Sequence, residues 1–374
     1  VPVDILSLTR DELKAHFAVW QYPAYRVTQL LEWLYSRRAT RWDDMTNLPK
    51  RLRDRLAETF SFQKLELVHQ QGAPDTTRKF LWRLRDRSLI ESVLIPANPA
   101  LYSDASDRHT LCISTQIGCA YGCKFCASGL NGWRRNLTPD EIVEQVLAVE
   151  RTLASDENRA TGTRSASPAT RYPSRFLDNI VVMGMGEPLA NYEKLLKALR
   201  ILNAPWGGGI GARKITISTS GLAPQIRRLA SEPEQFRLAV SLHGTTDAVR
   251  NEIMPVNLKY PLKELIAACE DYQDQKGRML TLEYILIAGV NDSPEQARLL
   301  AGIAKRLFAK VNLIPYNRVE GLPWERPVDK VCEAFLAVLE RQRVKVTLRR
   351  EKGGDIDAAC GQLRLKTERE LDSA

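Results

Sequence analysis

The sequence predicts a mixed α/β protein in which strands and helices alternate around a partial parallel barrel, with a small helical module and a short antiparallel extension ahead of it. Three observations predict this. Residues 1–60 carry helical apolar spacing, residues 61–105 alternate in a two-residue period, and residues 106–350 repeat an apolar strand followed by an amphipathic helix.

In the first segment Thr9 and Glu12 have the spacing of a capping box, and YRVTQLLEWLY and LPKRLRDRLAETF repeat apolar residues at helical intervals. From 61 to 105, FQKLELVHQ, KFLWRLR and SLIESVLIP alternate and are broken by Gly and Asp, as in an antiparallel sheet. Beyond these, HTLCIST, DNIVVMG, KITIST, FRLAVSL, MLTLEYILI, KVNLIP and VKVTLR read as strands, and Thr138-Pro-Asp-Glu141 reads as a helix start. Six or seven such strands suit a partial barrel. Residues 151–175 are polar, rich in Ser, Thr and Ala and without apolar period, so a surface loop or disordered insertion is expected there. The C-terminal segment, 351–374, holds glycines and acids around Cys360 that delay any helix to its middle.

The chain has 374 residues, 44% of them apolar, enough for one large domain with attachments. It contains no run of 18 apolar residues and opens on a stretch mixing acids with apolar residues, so neither a membrane span nor a signal peptide is expected, and the cytoplasm is the default compartment. Seven cysteines, three of them clustered, suit a reducing compartment better than a disulfide scaffold. The net charge of +9 biases the protein toward polyanions. Arg37, Arg38, Arg41, Lys50, Arg51, Arg53 and Arg55 crowd a stretch that also carries Trp33, Tyr35 and Trp42. Cations among aromatics suit nucleic acid, phosphates meeting the charges and bases stacking on rings; a solvated helical face over ordinary core aromatics reads equally well. A second basic run, Arg341 to Lys352, alternates with Val344, Val346 and Leu348 as a strand with one wet face.

Cys119, Cys123 and Cys126 within GCAYGCKFCASG are the chemically most informative residues. Three thiolates at this spacing can hold a [4Fe-4S] cluster and leave one iron open for chemistry. A structural zinc or plain buried thiols would be the bland reading, but zinc wants a further ligand pair, and no nearby Cys-x-x-Cys or His pair supplies it. Gly184-Met-Gly186-Glu187-Pro188 follows an apolar strand, at the end where barrels place their chemistry.

Taken together, GCAYGCKFCASG, GMGEP at 184–188, STSG at 218–221, SLHGTTDAVRNEIMPVN from 241, LIPYN at 313–317 and DIDAACGQL at 355–363 resemble the RlmN/Cfr family of radical S-adenosylmethionine RNA methyltransferases. The resemblance spans nearly the whole chain, departing in FAVWQYPAYR, which lacks a glycine before YR, and in the 151–175 insertion. It implies a (β/α)6 radical-SAM partial barrel, a helical RNA-binding extension, one [4Fe-4S] cluster on Cys119, Cys123 and Cys126, and two S-adenosylmethionine molecules consumed per turnover. Gly186 and Glu187 would meet the ammonium group of S-adenosylmethionine, with Ser218, Ser241, Leu242, His243 and Asn317 contacting the rest of it.

By the same resemblance Cys360 would accept a methyl group from one S-adenosylmethionine, and an adenosyl radical from the second would take hydrogen from that methyl. The carbon radical would join C2 of an adenosine in 23S rRNA or in a tRNA anticodon loop. Cys112 would then form a disulfide with Cys360 to free the product, with Glu91 as proton acceptor and His109 a lesser candidate. Bottom-up, Glu91 on an alternating strand would be placed in water and Cys112 would be a buried hydrophobic thiol. Phe125 is expected to shield the cluster, and Cys269 and Cys332 to be structural. The implied partners are 23S rRNA, tRNA, an electron donor such as flavodoxin and a thiol reductant, with the protein a monomer. The alternatives are Cfr-like methylation at C8 of the same rRNA base and a non-catalytic, zinc-containing RNA-binding protein.

Overall fold

In the computed structural model, the described residues are 2–62, 64–72, 77–96, 109–160, 176–349 and 361–372. They divide into two compact units whose segments interleave along the chain. The first comprises 1–113, 137–180 and 193–214; the second comprises 114–136, 181–192 and 215–374.

The first unit opens with α1 (Arg10–Val19), α2 (Tyr25–Leu31) and α3 (Lys50–Thr59). The capping box forms as its spacing predicts: the Thr9 N–H donates to Glu12 Oε2 at 2.7 Å and the Glu12 N–H donates to Thr9 Oγ1 at 3.3 Å. Four strands follow, β1 (Glu66–Gln71), β2 (Arg78–Arg83), β3 (Leu89–Pro96) and β4 (His109–Cys112), paired antiparallel in that order. Because side chains alternate along a strand, register assigns the two faces. Arg78, Phe80, Trp82, Ile90, Ser92, Leu94 and Leu111 share one face, and Lys79, Leu81, Glu91, Val93 and Cys112 share the other. The first face packs on α4 (Pro139–Ala160): Ser92 Oγ donates to Gln145 Oε1 at 3.0 Å, and Arg78 pairs with Asp156 at 2.5 Å.

Helix α4 corrects the expected insertion. Residues 151–160 continue the helix, because Leu153 extends its buried stripe and Arg151 and Asp156 are held by Glu144 and Arg78. Residues 161–175 lie outside the described residues.

The basic, aromatic N-terminal stretch divides between its two readings. Trp33, Tyr35 and Arg38 are buried, Arg38 paired with Glu150 at 2.7 Å, as the structural reading requires. Arg41, Lys50, Arg51 and Arg55 remain exposed, with Arg55 over the Trp20 ring at 5.0 Å.

Strand β7 (Asn179–Val182) and helix α5 (Tyr192–Asn203) run across the division between the units. The second unit contains a two-stranded ribbon, β5 (Gln116–Gly118) with β6 (Trp133–Asn136), that the sequence did not signal: its strands are three and four residues long, and WRRN has no apolar alternation. It also contains five parallel strands in the order β8 (Ile215–Thr219), β9 (Arg237–Ser241), β10 (Thr281–Leu286), β11 (Lys310–Pro315) and β12 (Val346–Leu348). Between and after them stand α6 (Ala223–Ser231), α7 (Asp247–Ile253), α8 (Val256–Lys259), α9 (Leu262–Lys276), α10 (Pro294–Arg306), α11 (Asp329–Arg341) and α12 (Gln362–Asp372).

One face of this parallel sheet is apolar and buried, through Ile217, Leu238, Val240, Leu282, Tyr284, Val311 and Leu313; Tyr284 stacks on Phe335 of α11. The other face carries Ser218, Ser241, Glu283 and Asn312. Parallel sheets covered by helices on both sides are apolar on both, so this polar face is built for something other than a second helical layer. No helix among the described residues is long and apolar enough to cross a membrane.

Candidate active site

The cysteine loop of the second unit is closed at its base by the β5–β6 ribbon. The Cys119 N–H donates to the Gly132 carbonyl at 3.1 Å. Gly118 adopts φ +73°, and a Cβ there would meet Gly132 O at 1.9 Å, so only glycine permits the ribbon to close. Within the loop the Cys126 N–H donates to Cys123 O at 3.0 Å, and a 3-10 turn at Ala127–Gly129 follows. Two contacts pin the outer side: Lys124 N–H to Ile253 O at 2.9 Å and Trp324 Nε1–H to Lys124 O at 2.7 Å.

All three cysteines are half-buried free thiols. Burial pushes Cys119 up to about 12 and Cys123 well above the ordinary thiol range; the Cys126 charge raises both further, and the Cys119 charge raises Cys123. Among the described residues no three Cys, His, Asp or Glu side chains converge on a single-ion site. Three cysteines gathered in one loop without forming a single-ion site suit an iron–sulfur cluster better than one zinc.

The loop GMGEP stands beside this ribbon. Gly186 has φ +98°, and a Cβ would strike the Gln116 side chain at 2.5 Å. Gln116 in turn accepts the Glu187 N–H at 2.8 Å and donates to Asn136 at 2.7 Å, joining the GMGEP turn to both ribbon strands. The Glu187 carboxylate is buried and accepts backbone N–H groups of Ser220 at 2.7 Å and Leu189 at 3.0 Å. Burial raises its pKa above the usual carboxylate range. The Ser220 and Thr219 side chains also hydrogen-bond the carboxylate, so several donors fix it in place.

The remaining residues sit at strand ends, as expected. Ser218 and Ser241 lie on the polar face of β8 and β9. Leu242 is buried and donates its N–H to Glu283 O at 3.0 Å. His243 takes φ +55°, accepts the Ile285 N–H on Nδ1 at 3.1 Å, and meets Phe125 edge-on at 4.9 Å. Burial depresses its pKa to about 3, so the ring is neutral. Phe125 thus packs between the cysteine loop and the strand ends. Asn317 follows β11, and its buried Oδ1 has no hydrogen-bond partner among the described residues. An orphaned acceptor, a buried carboxylate and a glycine-walled turn fit an amino acid with a polar nucleoside, the two halves of S-adenosylmethionine.

Arg250 is a residue that sequence reasoning missed. It is fully buried and donates to the Ser241 carbonyl at 2.9 Å, the Leu242 carbonyl at 2.5 Å, the Ser220 carbonyl and Asn257 Oδ1, tying the ends of β8 and β9 to α7 and α8. Its only signal was membership of SLHGTTDAVRNEIMPVN. Its guanidinium also lowers the pKa of Cys123 against the dominant effect of burial.

Cys112 and Glu91 belong to the first unit. The water-facing placement expected of an isolated strand glutamate is overturned: Glu91 is 3% exposed and pairs with Lys79 Nζ at 3.4 Å. Val93 stands opposite Cys112, so Glu91 and Cys112 are diagonal neighbours on one sheet face. His109 projects to the other face, away from both. Cys360 lies outside the described residues. Gly361, the next residue, rests on the turn after Cys126, where a Cβ would meet Ser128 at 2.9 Å. Helix α12 is tied to the loop by Asn131 Nδ2 donating to Glu368 at 3.1 Å. Cys269 and Cys332 are buried on α9 and α11.

Comparison with known proteins matches residues 3–61 to the family "Ribosomal RNA large subunit methyltransferase N-terminal domain" and residues 169–301 to the radical SAM superfamily. The chain is 55% identical over 362 residues to a probable dual-specificity RNA methyltransferase RlmN 3 of Opitutus terrae, covering 97% of this chain and 94% of the relative. It is 50% identical to a probable dual-specificity RNA methyltransferase RlmN of Akkermansia muciniphila, covering 98% and 96%. A crystal structure of a radical SAM methyltransferase from Sphaerobacter thermophilus is similar in fold at a TM-score of 0.85 and 43% identity, over 96% of this chain and 99% of that one.

Proposed function

This chain belongs to the RlmN family of radical S-adenosylmethionine, dual-specificity RNA methyltransferases, and from that premise we propose that it methylates C2 of adenosine in 23S rRNA and in the tRNA anticodon loop. The single observation that carries the reading is identity of 50% or more to two such relatives over nearly the full chain. Supporting it are three thiols held in one glycine-closed loop beside a buried carboxylate.

When bound, the cluster supplies the electron that cleaves the sulfonium of S-adenosylmethionine. Cys119, Cys123 and Cys126 hold it, with Arg250 and Phe125 fixing the strand ends beside it. Glu187 accepts from the substrate ammonium, Gly186 lets the backbone approach, and Asn317 Oδ1, Ser218, Ser241, Leu242 and the neutral His243 meet the remaining polar and apolar surface.

Cys360 is the thiol that accepts a methyl group, as a thiolate does by displacement. A second S-adenosylmethionine is consumed in activating that methyl, which joins the adenine ring and links protein to RNA. Glu91 takes the ring proton as the radical adduct gives back the one electron supplied at the start, and Cys112 attacks the Cys360 sulfur, forming an S–S bond as the S–C bond to the RNA breaks with its electron pair left on carbon, which takes up a proton to become the methyl group. An electron donor such as flavodoxin and a thiol reductant that reopens the disulfide complete each cycle.

The test is anaerobic reconstitution followed by mass spectrometry of the nucleosides from 23S rRNA and tRNA. The expected product is 2-methyladenosine; 8-methyladenosine alone would assign the Cfr-like reaction instead, and stoichiometric zinc without iron would assign the non-catalytic reading.

A further inference from the structure

One sheet face of the first unit carries a buried cation that no step above uses. Lys79 of β2 is 1% exposed, its ammonium 3.4 Å from Glu91 Oε2. Register places it with purpose. Lys79 stands opposite Val93, Val93 stands opposite Cys112, and Glu91 is two residues from Val93 on the same strand. Lys79, Val93 and Cys112 therefore form one cross-strand row, with Glu91 beside it on the same face. The neighbouring Arg78 projects the other way, to Asp156 of α4, and serves the packed face.

A buried ion pair is a poor stabilising device, because desolvating two charges costs as much as their attraction returns, and apolar replacements of similar volume are often no worse. A pair kept at this position, beside a thiol and on the face away from the helix, asks for a chemical reason. Resting on the roles given above to Glu91 and Cys112, we propose that Lys79 is a positioning residue for product release: its ammonium holds and aims the buried Glu91 carboxylate, so that the carboxylate can take the ring proton next to Cys112. The proton passes from the ring carbon to a Glu91 oxygen; Lys79 keeps all of its own. Without the cation, the carboxylate loses a partner that fixes where its oxygens point, and a misaimed base is a slow one.

The test uses the full-length, reconstituted enzyme and an RNA substrate, following the covalent protein–RNA adduct on a denaturing gel alongside released methylated RNA. Lys79→Met is expected to form adduct as fast as the wild type, with unchanged KM for RNA, but to release product about 10- to 100-fold more slowly, at or below the lower end of a full general-base contribution because the base itself is kept. Lys79→Arg, which keeps the charge, is expected to restore most of the rate. In a Glu91→Gln background, Lys79→Met is expected to slow release no further, because it acts through a carboxylate no longer there. This doubly neutral pair also removes the folding hazard of stranding one buried charge.

Wild-type release by Lys79→Met while Glu91→Gln stalls would overturn the proposal and leave the role of Glu91 standing. A further slowing in the double variant would overturn it too. Wild-type release by Glu91→Gln itself would remove the proton-acceptor reading, and this proposal with it.

Discussion

The cysteine loop and the β2–β3–β4 face hold their chemical groups in opposite ways. In the loop, backbone decides: Gly118 closes the ribbon, and bonds from Cys119 and Cys126 set the turn. On the sheet face, side-chain register decides: Lys79, Glu91 and Cys112 come together because three strands pair at Lys79↔Val93 and Val93↔Cys112. A loop of this kind announces itself as a motif. A row of residues from three strands is invisible until the strands are paired.

The largest expected effects separate the two regions. Cys123→Ser is expected to abolish both iron content and methylation, since two protein thiolates do not retain the cluster; iron analysis and visible absorbance check this, and full iron retention would break the comparison. Cys112→Ala is expected to leave iron untouched yet trap a covalent protein–RNA adduct, while Cys360→Ala yields no adduct at all. Normal turnover by Cys112→Ala would remove it from the release step.

A smaller effect tests the backbone argument. Gly118→Ala at φ +73° is expected to cost about 1–3 kcal/mol of local strain and to lower iron occupancy before it lowers global stability. Thermal melting with parallel iron assay measures the two; equal losses in both would mean that the ribbon is not the cluster's own scaffold.

The smallest effect is a difference in pH dependence. His243, in the second unit, has a folded value of about 3 against an ordinary 6.5, because burial opposes its charged form. Between those values the unfolded chain binds the extra proton, so its contribution is present above pH 6.5 and is lost as pH falls toward 3. Asp4, in the first unit, is raised by burial and by the Asp140 charge to about 7 from 3.8. There the folded chain holds the extra proton, and the contribution present below 3.8 is lost as pH rises to 7. Asp4→Asn is therefore expected to make stability rise more steeply with pH between 4 and 7, by at most about 1.4 kcal/mol per pH unit. Urea melts at pH 5 and pH 7.5 read the change; an unaltered pH dependence would show that Asp4 titrates normally.

Much of the fold was legible because its strands are apolar runs and its helices carry caps: Thr9 with Glu12 and Thr138 with Glu141 both bond as their spacing predicts, the latter through the Thr138 N–H at 2.9 Å. The ribbon escaped notice because three residues are too few to show a period. The end of helix α4 is not legible in the sequence because Arg151 and Asp156 look like loop residues until Glu144 and Arg78 are seen to hold them.

By itself the sequence determined the cysteine triplet, the GMGEP turn and the strand-end residues, since each depends on neighbours a few positions away, and local spacing survives in one dimension. Tertiary structure alone decided that Arg250 ties three carbonyls together, that Trp33 and Tyr35 are core while Arg41 and Arg55 stay exposed, and that Glu91 is buried beside Lys79. Those outcomes depend on which strands pair and which faces are covered, and burial is a property of the whole fold, carried by no single stretch of chain.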